Sequence, residues 1–365
     1  MSTGRKVVVK VGTSSITSDS GELDDAAVVK LCAEVAAARA QGHEVVLVCS
    51  GAIAAGLPAL GLTSRPADMG TLQAIAAVGQ PRLMERIGAI LGQHGLVAGQ
   101  ILLTAHDFGV REQYLHARKT MKRLLDLGVV PVVNENDTVA DDEIRYGDND
   151  RLAALVSNVV GADVLLLLTD TAGLYTADPR LDDEASLIEE IVEVDAALEA
   201  VAGGAGTERG SGGMASKLAA AKIAAWSGVR VVIASADAPG VVVDAIEGRA
   251  VGTQVQARHD RLSSRKLWIA FARGAAGRVI VDAGARDALT RSNRSLLPAG
   301  VRGVDGSFEP HDAVEVVTED GVVFAKGLVR YSSTGLQSVA GKRTAELEDG
   351  ASPEVIHRDD LVVLP

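Results

Sequence analysis

Residues 6–15 read KVVVKVGTSS, and the order of residue types there decides the fold. The run is too short for a helix, and because it is apolar at successive positions it belongs to a strand covered on both faces. Gly12 ends it, and Thr13, Ser14 and Ser15 follow. A glycine turn closing a buried strand offers backbone N–H groups to an anion. Lys10 stands before that glycine, whereas in the pattern G-x-x-x-x-G-K-[ST] the lysine follows the loop, and no stretch of the chain fits that pattern. The lysine therefore sits on the strand itself, beside the turn.

Outward from this strand the texture repeats. DDAAVVKLCAEVAAARAQG at 24–42 reads as a helix and EVVLVCSG at 44–51 as a strand, and a long Ala-rich section follows. GVVPVVNEND (128–137), RLAALVSNVVG (151–161), DVLLLLTD (163–170), ASKLAAAKIAAWSG (215–228) and VRVVIASAD (229–237) continue the alternation. Apolar strands separated by helices imply parallel pairing, so the fold class is α/β, a three-layer α/β/α sandwich with a mainly parallel sheet. Ligands of such sheets gather at the carboxyl ends of the strands. Past Val255 the pattern changes. RHDRLSSRKLWIAFARG at 258–274 reads as a linker, and short strands between Gly, Asp and Pro turns follow: GRVIVD, AVEVVT, VVFAKGLVRYS and LVVL. The expected division is a catalytic domain at 1–257, a linker at 258–274 and a small C-terminal β-rich domain at 275–365.

Composition narrows the function. Aromatics are only 3% of residues, so Ala, Val and Leu carry the apolar weight, as in helices packed on a parallel sheet. A formal charge of −12 argues against general adhesion to nucleic acid or an anionic membrane. Cys32 and Cys49 have neither a disulfide framework nor metal-ligand spacing, and read as buried thiols in a reducing compartment. No apolar run approaches the roughly 20 residues of a membrane helix, and a cytoplasmic location is expected.

Five strand-to-loop junctions carry the polar chemistry. After the first, at Lys10 and Gly12, comes the second, LVCSGAIAAG, where Ser50, Gly51 and Ala52 enter a helix; Ser50 reads equally as an N-cap or a ligand. The third puts Asn134, Glu135, Asn136 and Asp137 after a strand, and Asp148, Asn149 and Asp150 before a helix beginning near Arg151. One of the last three would be a cap. The two clusters together point to a ligand bearing an ammonium group, with carboxylates for its charge and amides for its hydrogen bonds. The fourth ends a very apolar strand with Thr169 and Asp170, and the fifth, GGAGTERGSGGMASKLAAAKIAA, is a glycine-rich loop opening the helix of Lys217. Gly210-Ser-Gly212-x-x-Ala215 has the spacing of a dinucleotide fingerprint, but no strand runs into Gly210. The seven histidines are scattered, and no Ser-His or metal-ligand arrangement stands out. Phosphoryl transfer to a carboxylate needs no general base, because the nucleophile is already ionised, and lysines suit the charge neutralisation that remains.

These motifs, VVVKVGTSSIT, VCSGAIAAG, VPVVNENDTVA, YGDNDRLAALV, LLLLTDTAGLYTADPR and GSGGMASKLAAAKIA, resemble in order those of the amino acid kinase family, and of its branch that phosphorylates glutamate. AGRVIVDAGARDAL, RSLLPAGV, GSFEPHDAVEV and FAKGLVRYSS are similar to a PUA domain. The resemblance implies ATP-dependent phosphorylation of the side-chain carboxylate of L-glutamate to L-glutamyl 5-phosphate, the first step of proline biosynthesis. It implies that Lys10, Lys217 and Asp150 are catalytic, Asp150 orienting the two lysines. It assigns Ser50, Gly51, Asn134, Asp137 and Asn149 to glutamate. Lys10, Gly12, Thr169, Asp170, Ser211, Gly212, Gly213, Met214, Ala215, Ser216 and Lys217 fall to the nucleotide. Mg²⁺ would be held mainly by phosphate oxygens, with no metal cage of protein side chains. Feedback inhibition by proline through the glutamate site and the loop 139–147, a homo-oligomer, and contact with glutamyl-phosphate reductase are further implications. Tyr146 stands where many relatives carry Phe. An RNA-binding role is the rival from another class, but residues 275–365 hold ten Lys/Arg against fourteen Asp/Glu. N-acetylglutamate, aspartate and UMP are the alternative acceptors within the family.

Overall fold

The computed structural model describes residues 4–18, 22–140, 148–177, 179, 182, 184–195, 198–199, 213–259, 261–272, 274–347 and 352–364. The chain divides into two compact units, 1–261 and 262–365.

The first unit holds an eight-stranded sheet. Its strands are β1 (Lys6–Val11), β2 (Glu44–Cys49), β3 (Ala98–Leu103), β4 (Val130–Glu135), β5 (Val164–Thr169), β6 (Glu190–Ile191), β7 (Arg230–Ser235) and β8 (Thr253–Val255), in the order β3-β4-β2-β1-β5-β7-β8-β6. The six strands from β3 to β7 run parallel. β8 runs antiparallel to β7, and β6 pairs parallel with β8, so these two run against the other six. Every residue of β4 and β5 is buried, which explains the apolar runs at 130–133 and 164–168.

Side-chain alternation along β1 separates two jobs. Val7, Val9 and Val11 point into a core shared with α1 (Asp25–Ala40), α3 (Met69–Gln93) and a short helix, Val241–Glu247. Val8 and Lys10 fall on the opposite face, where α6 (Asp148–Val160) lies against β1 and packs on α7 (Met214–Trp226). Lys10 is thus placed in the layer of α6 and α7 by its register alone. Cys32 and Cys49 belong to the first core; burial raises their thiols to about 11 and about 12, so both stay protonated.

Between β2 and β3 the chain forms α2 (Ala52–Gly56) and then α3, and the two helices meet backbone to backbone. A Cβ at Gly79 would stand 1.8 Å from the Ala52 carbonyl oxygen, so only glycine allows this approach. Helix α3 continues through Pro81 for 25 residues. Two further helices, Ala105–Gly109 and Arg111–Asp126, lead into β4.

The second unit is a mixed five-stranded sheet, with β9 (Gly277–Val281), β10 (Val301–Gly306), β11 (Ala313–Thr318), β12 (Val323–Leu328) and β13 (Leu361–Val363) in the order β10-β9-β11-β12-β13. It has its own core, including Val279, Phe308, Val316 and Ile356. A π-helical turn at Trp268–Ala272 packs on β12 and β13, and a short helix at Ser264–Leu267 packs on that turn and on Arg358–Asp360. No helix among the described residues is long and apolar enough to cross a membrane.

Candidate active site

The carboxyl ends of β4, β2, β1 and β5 lie side by side in that order, so residues far apart in sequence meet above them. Asp150 is in the first turn of α6, where all of Asp148, Asn149 and Asp150 are helical rather than preceding the helix. Asp150 is 1% exposed, with Lys10 Nζ 2.6 Å from Oδ1 and Lys217 Nζ 3.4 Å from Oδ2. The Ser216 hydroxyl donates to Oδ2 at 2.7 Å and lies 2.8 Å from the Gly213 carbonyl oxygen. Lys10 and Lys217 are themselves 4% and 5% exposed.

Within this buried cluster two ammonium groups face one carboxylate, an arrangement that favours a polyanion beside it. Burial opposes ionisation of Asp150, but the two ammonium groups and the donated hydrogen bonds outweigh it and hold its carboxyl below the ordinary 3.8. Lys217 is shifted down from 10.5, by burial first and by repulsion from Lys10, against the pull of Asp150 and Asp170. One carboxylate therefore holds two lysines that would otherwise repel. A Cβ at Gly12 would come within 3.4 Å of Lys10 Nζ, so the glycine turn lies directly against that ammonium.

A second polar group adjoins the first through the Asn149–Asp150 peptide. Asn149 Nδ2 donates to Ser50 Oγ at 3.0 Å, and its Oδ1 accepts from the Glu135 N–H at 3.3 Å. Ser50 is therefore a partner of Asn149, not a helix cap. Gly51 follows with φ +112°, a conformation that favours glycine. Asn134, at the carboxyl end of β4, is 1% exposed and adjoins this group through the Glu135 N–H. Asp137 is half-buried on the turn after β4, which is held by the Asn136 N–H to Leu103 carbonyl bond and by Thr138 Oγ1 donating to Asn136 Oδ1.

On the other side of β1, Thr169 ends β5 and donates to Asp170 Oδ1 at 3.0 Å. Its carbonyl oxygen accepts from the Ala236 N–H, which ties the end of β5 to the loop after β7. Gly213 caps α7 in extended conformation, followed by Met214, Ala215 and Ser216 in its first turn. Ser211, Gly212, Tyr146 and loop residues 141–147 lie outside the described residues.

The structure thus gathers Lys10, Asp150, Ser216 and Lys217 at the centre, and Ser50, Asn134 and Asn149 towards β4, with Asp137 on the turn beyond. Thr169 and Asp170 stand towards β7. Among the described residues no three His, Cys, Asp or Glu side chains are arranged to hold a metal, and both Asp150 oxygens are already taken by lysines and Ser216. These residues do not fit a magnesium cage. Two residues that motif reading passed over are Gln80 and Gln100, whose amides continue from Asn134. Gln80 is one of three glutamines in α3, with Gln73 and Gln93, and Gln100 sits in a short strand, so nothing in residue type or position singles either out.

Residues 5–235 match the amino acid kinase family, well over half the chain. The chain belongs to the amino acid kinase family. Residues 277–351 of this kinase match the PUA domain. It is 48% identical over 364 residues, 99% of its length, to the glutamate 5-kinase of Burkholderia multivorans, covering 98% of that protein. To the glutamate 5-kinase of Trichlorobacter lovleyi it is 46% identical, over 99% of its own length and 97% of the relative's. Among solved structures, carbamate kinase from Giardia lamblia bound to AMP-PNP superposes with a TM-score of 0.51 at 18% identity, over 71% of this chain and all of that one. That likeness concerns the fold alone.

Proposed function

We propose that this kinase transfers the γ-phosphoryl group of ATP to the side-chain carboxylate of L-glutamate, giving L-glutamyl 5-phosphate and ADP. The observation that carries the reading is the buried Lys10–Asp150–Lys217 cluster standing between a polar group on the β4 side and the strand-end residues on the β5 side. The full-length relatives support glutamate as the acceptor.

In the reaction a carboxylate oxygen forms a bond to Pγ, the bond from Pγ to the β,γ-bridging oxygen breaks, and ADP leaves with that electron pair. No proton has to move, which accords with a centre whose ionised groups are a paired carboxylate and two ammonium groups. The obstacle is repulsion between two anions. Lys10, on β1, faces the point of transfer, and Lys217, on α7, faces the phosphate side; both gain as charge spreads over the transferring oxygens. Asp150 touches neither substrate. It keeps the two ammonium groups apart and aimed, so that they need no reorganisation. The Asn149 amide and the Asp137 carboxylate provide the groups for the amino acid's carboxylate and ammonium ends. The first turn of α7 and the Thr169–Asp170 corner serve the nucleotide. Magnesium would enter on the phosphate oxygens, and no step depends on a protein-held ion.

Proline inhibition through the glutamate side of the site, homo-oligomerisation, and a separately folded second unit, with the boundary near residues 258–274, complete the reading. Release of ADP should be measured with L-glutamate, N-acetylglutamate, L-aspartate and UMP as acceptors, with and without proline. L-Glutamate should be the preferred acceptor, with proline competing against it. Preference for UMP or N-acetylglutamate would overturn the assignment.

A further inference from the structure

A line of side-chain amides runs behind the acceptor side of the site. The Glu135 N–H donates to Asn134 Oδ1 at 2.9 Å, Asn134 Nδ2 donates to Gln80 Oε1 at 2.8 Å, and Gln80 Nε2 donates to Gln100 Oε1 at 3.1 Å. Asparagine and glutamine amides can each be turned end for end, but a backbone N–H can only donate. Glu135 therefore sets the direction of the whole line. It forces Asn134 to present oxygen to Glu135 and nitrogen to Gln80, and Gln80 to present oxygen to Asn134. Gln80 takes the other end of the same amide, so the Asn134 side chain is held at both ends.

The line also crosses the sheet. Alternation along β4 puts Asn134 on the same face as Val130 and Val132, both in the core under α1 and α3, and Gln80 reaches it from α3. The same Glu135 N–H that meets Asn134 is shared with Asn149 Oδ1, at the start of α6 on the opposite face. One backbone N–H thus joins the α3 layer to the α6 layer at the carboxyl edge of the sheet, one residue from Asp150. Gln80 is 8% exposed and Asn134 1%, so water cannot readily replace the bond between them. Next to Gln80, Gly79 seats α3 directly on α2, the helix that follows Ser50.

We infer that Gln80 is a positioning residue for the acceptor side of the site: by orienting Asn134 it fixes the Glu135 N–H and, through it, the Asn149 amide and the turn carrying Asp137. This rests on the acceptor reading given above, and it assigns to α3 a part in acceptor affinity that no motif in the chain announces.

Four variants test it: Gln80→Leu, which keeps bulk but removes both polar ends; Asn134→Ala; the double variant; and Gln100→Ala at the exposed far end of the line. Each is assayed for glutamate KM, ATP KM and kcat. Gln80→Leu should raise glutamate KM about tenfold, the worth of one buried hydrogen bond of roughly 1.4 kcal/mol, with ATP KM within about twofold. The double variant should match Asn134→Ala within about twofold, because Gln80 acts through Asn134. Gln100→Ala should raise glutamate KM about twofold to threefold, and it keeps the test open if Gln80→Leu does not fold. The inference is overturned if Gln80→Leu leaves glutamate KM unchanged, if glutamate and ATP KM rise together, or if the two substitutions add in full. If Gln80→Leu does not fold, an unchanged glutamate KM in Gln100→Ala overturns it instead. Should Asn134→Ala itself leave glutamate KM unchanged, the inference is overturned as well; the acceptor reading fails instead if the wild-type kinase does not phosphorylate L-glutamate.

Discussion

Asp150→Asn keeps the shape of the side chain and removes the one anion between two buried ammonium groups. The Nζ atoms of Lys10 and Lys217 lie 2.6 and 3.4 Å from its oxygens, and all three residues are at most 5% exposed. Removing one partner of such a group leaves uncompensated buried charge, at a cost of about 3–5 kcal/mol. At about 2–4 °C per kcal/mol for a unit of this size, the first unfolding transition should fall by roughly 6–20 °C. Two further readings make the test specific. Lys217 is already shifted below 10.5 by burial, and without Asp150 it shifts further down. Between that lowered value and 10.5 the unfolded chain holds the extra proton, so stability rises with pH there and the deficit of the variant should shrink as pH rises. A non-hydrolysable ATP analogue should raise the melting temperature of the variant more than that of the wild type, since the triphosphate supplies the missing negative charge. Turnover should fall by orders of magnitude. Calorimetry or circular dichroism at several pH values, with and without the analogue, reads all of this. A variant that melts within about 2 °C of wild type at neutral pH, indifferent to pH and analogue, would refute the role given to Asp150.

Lys10→Ala and Lys217→Ala should each lower kcat by orders of magnitude with smaller changes in glutamate KM, because both act on charge developed in transfer; near-wild-type turnover in steady-state assays would remove that residue from the mechanism. Asp137→Asn should raise glutamate KM steeply while sparing ATP KM, as seen by varying each substrate in turn. Gly79→Ala would put a Cβ 1.8 Å from the Ala52 carbonyl oxygen, so denaturant unfolding should show a loss of about 3 kcal/mol. On the acid side, the lowered Asp150 carboxyl contributes stability that is fully present above 3.8 and is lost as pH falls through its depressed value. Acid unfolding of wild type should therefore be steeper there than that of Asp150→Asn.

The parts of this molecule that are legible in sequence are those where local chemistry and tertiary role coincide. Strands β1, β2, β4, β5 and β7 are buried on both faces, and their apolar stretches, interrupted in β1 by Lys10 and closed in β4 by Asn134 and Glu135, say so. Strand β3 (AGQILL) borders the sheet, carries Gln100 and is less buried, so it merges into the stretch around it. β10 (VRGVDG) is broken by glycine, arginine and aspartate for the same reason. Lys10 and Lys217 were readable because each adjoins a glycine turn, and Asp150 because Asp and Asn cluster around it. What joins them was not. Ser216 binding Asp150, Ser50 binding Asn149, and Gln80 reaching Asn134 across 54 residues depend on the sheet order and on the backbone contact between α2 and α3. Those are tertiary facts with no local signature. Helix α6 also begins earlier than its capping residues suggest, at Asp148, which brings Asp150 inside the first turn and aims it at the lysines.

The central claim is that a glutamate side-chain carboxylate oxygen attacks phosphorus directly, in a site organised by Lys10, Asp150 and Lys217. L-Glutamate carrying ¹⁸O in both side-chain carboxylate oxygens tests this most directly. The kinase is supplied with ATP, the glutamyl phosphate is left to cyclise through its own amino group, and the released phosphate is analysed by ³¹P NMR or mass spectrometry. Direct attack makes the bridging oxygen one of the labelled pair, and cleavage of the acyl C–O bond leaves it on phosphorus. Each phosphate released in a glutamate-dependent manner should therefore carry one ¹⁸O atom, and the signal should disappear with Lys217→Ala. Glutamate-dependent phosphate without the label would mean that the phosphoryl group goes first to water or to another acceptor, and the account of this site would be wrong.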